Sequence, residues 1–443
     1  MAAREQWRSG LGFVLAAAGS AVGLGNLWGF AYRVSQGGGM AFVLLYVLVV
    51  LLACLPVLVA ETALGRSTGR SPLMAPSTAA GFRWQLMGWL FVAASCGVLA
   101  FYAVLMSWTG HTLLHALLVG LPDDIADAES FFASVSDGTS VVLGQLLSLL
   151  LTGCIVTAGV RRGIERLSRW GLPFLLLLLL ALAIWASTLK GAKEGYSTFL
   201  LQWNPSYLSD PTTIRLAFSQ AFFSIGTGIG CILAYATYLD RRNHLPREAV
   251  AIAGIDTIVG LLAGLVTFPI VASFGLMDVI SESTVGTLFI ALPTGLSRLG
   301  DTGRTVAVLF FALAYIAAIT SAVSLLEVPV ACLMDCLCWS RKRAVWLSVT
   351  LIFLVGLPSA ISAEVLSLMD TVFGGLLLIL GGLLLAILMG WAVPRQLDED
   401  LRGCSTPKWV RFMLRFMLRW ISPPIMAAGL LASSIDLLLS LLG

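Results

Sequence analysis

Two runs of glycine and one isolated acid are where this chain could do chemistry. Gly19, Gly23 and Gly25 fall in Gly19-Ser20-Ala21-Val22-Gly23-Leu24-Gly25-Asn26, and Gly226, Gly228 and Gly230 close the stretch Phe222-Phe223-Ser224-Ile225-Gly226-Thr227-Gly228-Ile229-Gly230. Each glycine costs about 1 kcal/mol relative to alanine inside a helix, so three together in an apolar segment need a reason. Close helix packing is one, since small residues let membrane helices approach. A deliberate break is the other. Unwound backbone is tolerated at membrane depth where it is buried or lines a cavity. Its carbonyls then hold a cation, and half-helix N-termini hold a carboxylate. Neither run is a nucleotide loop, because no strand precedes it and no basic residue follows within it. Asp256 stands alone in the apolar run 249–277. A charge in such a run costs about 2.5–3.5 kcal/mol or more and usually marks a site. The alternative is an acid near the cytoplasmic end, reached by water.

The elements that carry these residues are membrane spans. Of 443 residues, 58% are hydrophobic and 12% charged, against roughly 25% charged in soluble domains. A spanning helix needs about 20 apolar residues. Residues 11–32, 40–60, 141–160, 171–189, 216–239, 305–326, 344–363 and 371–394 carry no charge. Segment 84–121 has only His111 and His115, and 249–277 and 420–442 have one acid each. Eleven spans follow. The first is not a signal peptide: it is too long and lacks a small-residue cleavage site.

Alternate loops are rich in arginine, as in Arg4 and Arg8, Arg66 and Arg70, Arg161 to Arg169, Arg241 to Arg247, and Arg341 to Arg343. The positive-inside rule then places the N-terminus in the cytoplasm and, with eleven spans, the C-terminus outside the plasma (inner) membrane. A net charge of +3 suggests no nucleic-acid partner; the lipid bilayer is the expected surroundings. The eight cysteines are scattered and mostly within spans, where they behave as small apolar residues. Cys332, Cys336 and Cys338 cluster, and packing accounts for them better than a metal.

The broken spans are the first and the sixth, equivalent places in two successive five-helix units. Glycine-interrupted segments at matching positions of two halves point to a transporter binding site. The expected architecture is an all-α polytopic membrane protein, one transporter domain over residues 1–443. Spans 1–5 cover about 10–190, spans 6–10 about 213–394, and span 11 about 417–442.

At Gly19 to Trp28, Gly37-Gly38-Gly39-Met40-Ala41-Phe42, Glu61-Thr62-Ala63-Leu64-Gly65-Arg66, Gln220 to Gly230 and Thr320-Ser321-Ala322-Val323-Ser324-Leu325-Leu326-Glu327, the chain resembles the neurotransmitter:sodium symporters. That family has the leucine-transporter fold, a 5+5 inverted repeat with helices 1 and 6 broken. The resemblance implies two sodium sites. The first would use the Ala21 carbonyl, Asn26, Ser224 and Asp256, completed by the substrate carboxylate. The second would use the carbonyls of Gly19, Val22 and Ala317 with the hydroxyls of Thr320 and Ser321. All are oxygen donors, as a hard cation requires.

The implied substrate pocket is Val98, Tyr102, Phe223, Gly226, Ile229, Ser321 and Leu325. Tyr102 and the N–H groups of Leu24 and Gly25 would bind a carboxylate. The carbonyls of Ala21, Phe223 and Ser224 would take an amine. The apolar lining favours a neutral, hydrophobic amino acid. Chloride-dependent relatives hold the anion with Tyr, Gln and two hydroxyls. Here Tyr46, Gln220 and Ser224 match, but the fourth position is Gly260, one helical turn from Asp256. The fixed charge of Asp256 is expected to replace chloride.

Two gates are implied. The inner one would pair Arg4 with Asp335, beside Trp7 and Tyr238. Exposed ion pairs are worth about 0–1 kcal/mol, which suits a gate that opens. The outer one is altered, because Gly29-Phe30-Ala31 stands where the family has Arg-Phe-Pro. Its acid is kept as Asp370. Arg33, one turn beyond Gly29, could reach Asp370; otherwise Asp370 faces a watery vestibule unpaired or is protonated. The expected function is a sodium-coupled amino-acid symporter working by alternating access. The alternative is a non-transporting sensor or channel on the same fold. No metal motif, nucleophile elbow or P-loop suggests an enzyme.

Overall fold

A computed structural model describes residues 6–122, 124–277 and 287–442. Among the described residues the structure is helical, and nine continuous helices are long and apolar enough to cross a membrane. They are Met40–Thr68, Phe82–Leu118, Gly138–Thr157, Val160–Ala186, Leu245–Ser273, Gly300–Leu337, Arg341–Ile361, Ala363–Ala392 and Lys408–Ile435. Two interrupted spans bring the total to eleven, in the places where the glycine runs put them.

The first span starts at Gly10, where the Ser9 hydroxyl accepts from Gly12 N–H at 3.1 Å. It is helical over Gly10–Ala21. Val22 still donates to the Ala18 carbonyl at 2.8 Å, but its own backbone is extended, at φ −73° and ψ 100°, and ends the helix. Helix resumes as a wide turn over Gly25–Gly29 and continues through Phe30–Gln36. The sixth span runs Pro211–Ile225, breaks, and resumes as Cys231–Ala236. Its break has a steric cause. Gly226, Gly228 and Gly230 have φ of 67°, 87° and 82°, the left-handed region that costs other residues roughly 1–2 kcal/mol.

The two broken spans lie at the centre. The first packs against Glu165–Ala186, Leu245–Ser273 and Gly300–Leu337, and the sixth against Met40–Val49 and Leu55–Thr68. Ala16, Ala17, Ala18 and Ala21 are buried, small enough for close approach. One buried ion pair ties three segments on the N-terminal face: Arg66 lies 2.8 Å from Asp400 and donates to the Asn243 carbonyl at 2.7 Å.

The last helix begins at Lys408, ahead of the position near 417 expected from hydropathy. Its first part, Lys408–Phe416, is amphipathic, with Trp409 and Phe412 exposed, and charge on one face hides it from a hydropathy count. The segment 122–140 holds a helix, Ile125–Ser136, and 190–213 holds a short one, Ala192–Tyr196.

Candidate ion and substrate site at the broken helices

The break in the first span places the side chain of Asn26 against the seventh span. Its amide donates to the Ser224 hydroxyl at 2.8 Å and to Asp256 Oδ1 at 2.8 Å. Its Oδ1 accepts from Gly23 N–H at 3.3 Å. Asp256 is fully buried, so it is not an acid reached by water. Its other carboxylate oxygen accepts from Ser224 at 2.7 Å and from the Tyr46 hydroxyl at 3.3 Å. Tyr46 and Ser224, two of the three positions that match a chloride site, therefore converge on one carboxylate. Gly260 faces the ring of Phe30 instead.

A second oxygen cluster lies across the same break. Ser321 donates to the carbonyls of Val22 and Ala317, both at 3.3 Å, and Thr320 donates to Ala317 at 2.8 Å. Gly19 packs on Thr320, since a Cβ there would stand 3.5 Å from the Thr320 Cβ. All five residues expected at the second site are thus neighbours.

Between the clusters is a cavity of about 40 Å³. Nine expected pocket residues line it: Ala21, Gly25, Val98, Tyr102 and Phe223, with Gly226, Ile229, Ser321 and Leu325. Leu24 and Ser224 do not. Leu24 contributes through its backbone, whose N–H donates to the Tyr102 hydroxyl at 3.1 Å, so two of the three expected carboxylate-binding groups meet. Gly25 must be small, because a Cβ there would come 2.7 Å from the Phe223 ring. Gly226 opens onto free space.

Sequence reasoning missed five lining residues: Ser20, Gly23, Cys231, Ser324 and Leu378. Ser20 donates to Ser324 at 2.5 Å, and Ser324 to the Ser321 carbonyl at 2.7 Å. Their places inside the two motifs were a usable signal. Leu378, from the tenth span, left none. Glu61 was also missed. Fully buried, it accepts from Gly228 N–H at 3.0 Å and Leu233 N–H at 3.3 Å. It holds backbone donors that the sixth-span break frees, and an acid following the uncharged run 40–60 was its signal.

The gates are placed as follows. Arg4 lies outside the described residues. Asp335 accepts from Ser71 N–H at 3.0 Å and pairs with Arg70 at 3.2 Å. Trp7 is buried, its indole N–H on the Tyr235 carbonyl at 2.9 Å and its backbone N–H on the Tyr238 carbonyl at 3.2 Å. The Tyr238 hydroxyl donates to Glu327 at 3.0 Å, and Glu327 pairs with Arg341 at 2.5 Å.

On the outer side, Arg33 and Asp370 line one cavity of about 290 Å³ with Arg215. Among the described residues, however, Arg33 forms no ion pair with Asp370. Its guanidinium donates to Gln220 Oε1, and Gln220 donates to the Gly25 carbonyl at 3.4 Å. The expected Arg33–Asp370 contact is therefore not made in this conformation. Without a side chain, Gly29 leaves room for Arg33 to fold down toward the sixth span.

Known proteins resemble this chain in sequence and in fold. The model of the sodium:neurotransmitter symporter family matches residues 4–129 and 125–440. The chain is 35% identical to the sodium-dependent transporter YhdH of Bacillus subtilis over 94% of its own length and 95% of the relative's. It is 26% identical to the sodium-dependent nutrient amino acid transporter 1 of Drosophila persimilis, over 75% of this chain and 59% of that one. The crystal structure of MhsT in complex with L-phenylalanine superposes with a TM-score of 0.90 at 36% identity, covering 97% of this chain and all of that one.

Proposed function

Because the chain belongs to the sodium:neurotransmitter symporter family, and is on that ground a sodium-dependent multi-pass membrane transporter and not an enzyme, we propose that it imports a neutral, hydrophobic amino acid together with sodium. The observation that carries this reading is the pair of oxygen clusters flanking one cavity at the two helix breaks. Asn26, Ser224, Asp256 and the Ala21 carbonyl would hold one sodium ion. Gly19, Val22, Ala317, Thr320 and Ser321 would hold the other. With its amide turned over, Asn26 would present Oδ1 beside the Asp256 carboxylate and the Ser224 hydroxyl. Three side-chain oxygens, one of them charged, suit a hard monovalent cation.

The substrate carboxylate would meet Tyr102 and the N–H of Leu24, next to the first ion. Ion and substrate then share a site, and each strengthens the binding of the other by the same factor. The side chain would lie among Val98, Ile229, Leu325 and Leu378, all hydrocarbon. MhsT was solved with phenylalanine, which makes that amino acid the first to test. The carboxylate of Asp256, already satisfied by Tyr46 and Ser224, would supply the negative charge that chloride supplies elsewhere, so transport needs no chloride. The N-terminus would face the cytoplasm of the plasma (inner) membrane and the C-terminus the outside, by the distribution of arginine.

The test is uptake into proteoliposomes. Phenylalanine accumulating above its external concentration under an inward sodium gradient, and not under a potassium gradient, is the expected result. One observation favours a second reading, a sensor: the outer arginine is absent and Arg33 is engaged with Gln220. Saturable sodium-dependent binding without accumulation would select the sensor.

A further inference from the structure

On the face that carries the N-terminus, two chain segments bring arginine to one recess. Arg8 precedes the first span, Arg161 and Arg162 lie at the entry to the fifth, and Arg166 and Arg169 lie on its opening turns. With Trp170 they line a recess of about 370 Å³. The one acid there, Glu165, is turned inward. It is 3% exposed, accepts from Arg8 N–H at 3.2 Å, and lies so close to Gly12 that a Cβ there would come 2.4 Å from Oε1. Among the described residues Arg162, Arg166 and Arg169 form no ion pair with a carboxylate. Arg161 donates to the Gln6 carbonyl, which draws the segment before the first span to the same place.

The recess does not end at the arginines. Arg162, Arg166 and Trp170 also bound an adjoining groove of about 770 Å³, whose walls are Ile155, Ala158, Leu167, Phe174 and Ile316. That groove runs along the fifth span into the apolar zone. Trp170 is 74% exposed and Phe174, one turn on, is 51% exposed. Tryptophan at this level is typical of the headgroup boundary. A cationic recess continuous with a hydrocarbon groove is complementary to an amphiphile: guanidinium forks match phosphate oxygens, and the groove matches an acyl chain. A soluble anion would use the recess alone, and an apolar protein segment the groove alone.

We propose that this surface, between the fourth, fifth and eighth spans, binds one anionic glycerophospholipid, with its phosphate among Arg162, Arg166 and Arg169 and an acyl chain along Phe174 and Ile316. Basic pockets between spans on the cytoplasmic side are known to hold such headgroups. Bound there, the lipid would bridge the N-terminal segment and the fifth span, two elements already joined by Arg8 and Glu165.

The experiment uses the full chain in neutral detergent. Native mass spectrometry and thermal denaturation are run with phosphatidylglycerol, phosphatidylcholine, glycerol 3-phosphate and inorganic phosphate. One retained phosphatidylglycerol and a raised denaturation temperature, with little effect of phosphatidylcholine or of either soluble phosphate, is expected. The variant R162Q/R166Q/R169Q should bind phosphatidylglycerol about tenfold or more weakly, since each basic side chain near a lipid surface contributes appreciably. Gly171→Leu would push into the groove, where a Cβ at Gly171 already stands 3.4 Å from Ile316; it should weaken the lipid severalfold through the acyl chain alone. Equal retention of the two lipids, unchanged phosphatidylglycerol binding in the triple variant, or equal stabilisation by inorganic phosphate would overturn the proposal. Arg166→Gln alone, read by the same assay, replaces the triple variant if that one does not fold.

Discussion

Arg33 occupies the space that a side chain at Gly29 would need. A Cβ built on Gly29 would come 2.6 Å from Arg33 Nη1, and the same guanidinium donates to Gln220. The glycine and the arginine are thus two halves of one arrangement. Arg33, one turn beyond the position where the resemblance implies an arginine, is linked to the break through Gln220 and Gly25.

Putting arginine back at position 29 should therefore impair this protein. In Gly29→Arg the new side chain competes with Arg33 for the space beside Gln220, and sodium-driven uptake should fall severalfold. Combining it with Arg33→Ala relieves the crowding, so the double variant should transport better than Gly29→Arg alone, a non-additive result of the kind expected for residues in contact. Strict additivity of the two changes in uptake would show that the residues act independently.

Asp256 is proposed to take the place of chloride. Uptake by the native chain should be the same in chloride and in gluconate. Asp256→Asn keeps the size of the side chain but leaves one accepting oxygen where Asp256 has two, toward Asn26 and Ser224, and removes the charge that would balance the first ion. The loss of one buried charge partner costs about 3–5 kcal/mol in comparable settings, so sodium-dependent uptake should fall by more than tenfold. Native uptake that vanishes in gluconate would contradict this assignment.

Glu61 should matter for stability as much as for transport. It accepts from the N–H groups of Gly228 and Leu233, which would otherwise be buried donors without partners. Leaving such a group unsatisfied costs about 1–3 kcal/mol. Glu61→Ala should lower the denaturation temperature in detergent and abolish uptake, and Glu61→Gln, which keeps one acceptor oxygen, should be milder in both. An alanine variant as stable as the native chain would remove Glu61 from the support of the break.

Sodium should stabilise the protein and potassium should not. A ligand at 100 times its Kd adds about 2.7 kcal/mol to the native state. Ser321→Ala removes a hydroxyl lying between the Val22 and Ala317 carbonyls, so sodium should raise its denaturation temperature by less, with the sodium-free temperature nearly unchanged. An undiminished sodium response in that variant would place the second ion elsewhere.

Much of this protein is legible in its residues alone. Span length follows from hydrocarbon thickness, and a run of uncharged residues records its apolar part; the fifth helix, whose opening turns carry arginine, and the last, whose opening turns are amphipathic, are among those that begin earlier than the uncharged runs suggest. The two breaks are also local. Gly226, Gly228 and Gly230 adopt left-handed backbone that glycine accepts without steric cost, so their places in the sequence mark where the helix ends. Asp256 stands out as an acid in an apolar run. The partners these residues choose are a different matter. That Asp256 gathers Asn26, Ser224 and Tyr46, that Glu61 holds the sixth-span backbone, and that Leu378 closes the cavity depend on contacts between segments far apart in the chain. Arg33 is the plainest case. Sequence spacing places it one turn beyond Gly29, within reach of more than one partner. Tertiary packing turns it to Gln220 without an ion pair to Asp370, because a long side chain goes where neighbouring helices leave space and an acceptor, and neither is encoded in its own segment.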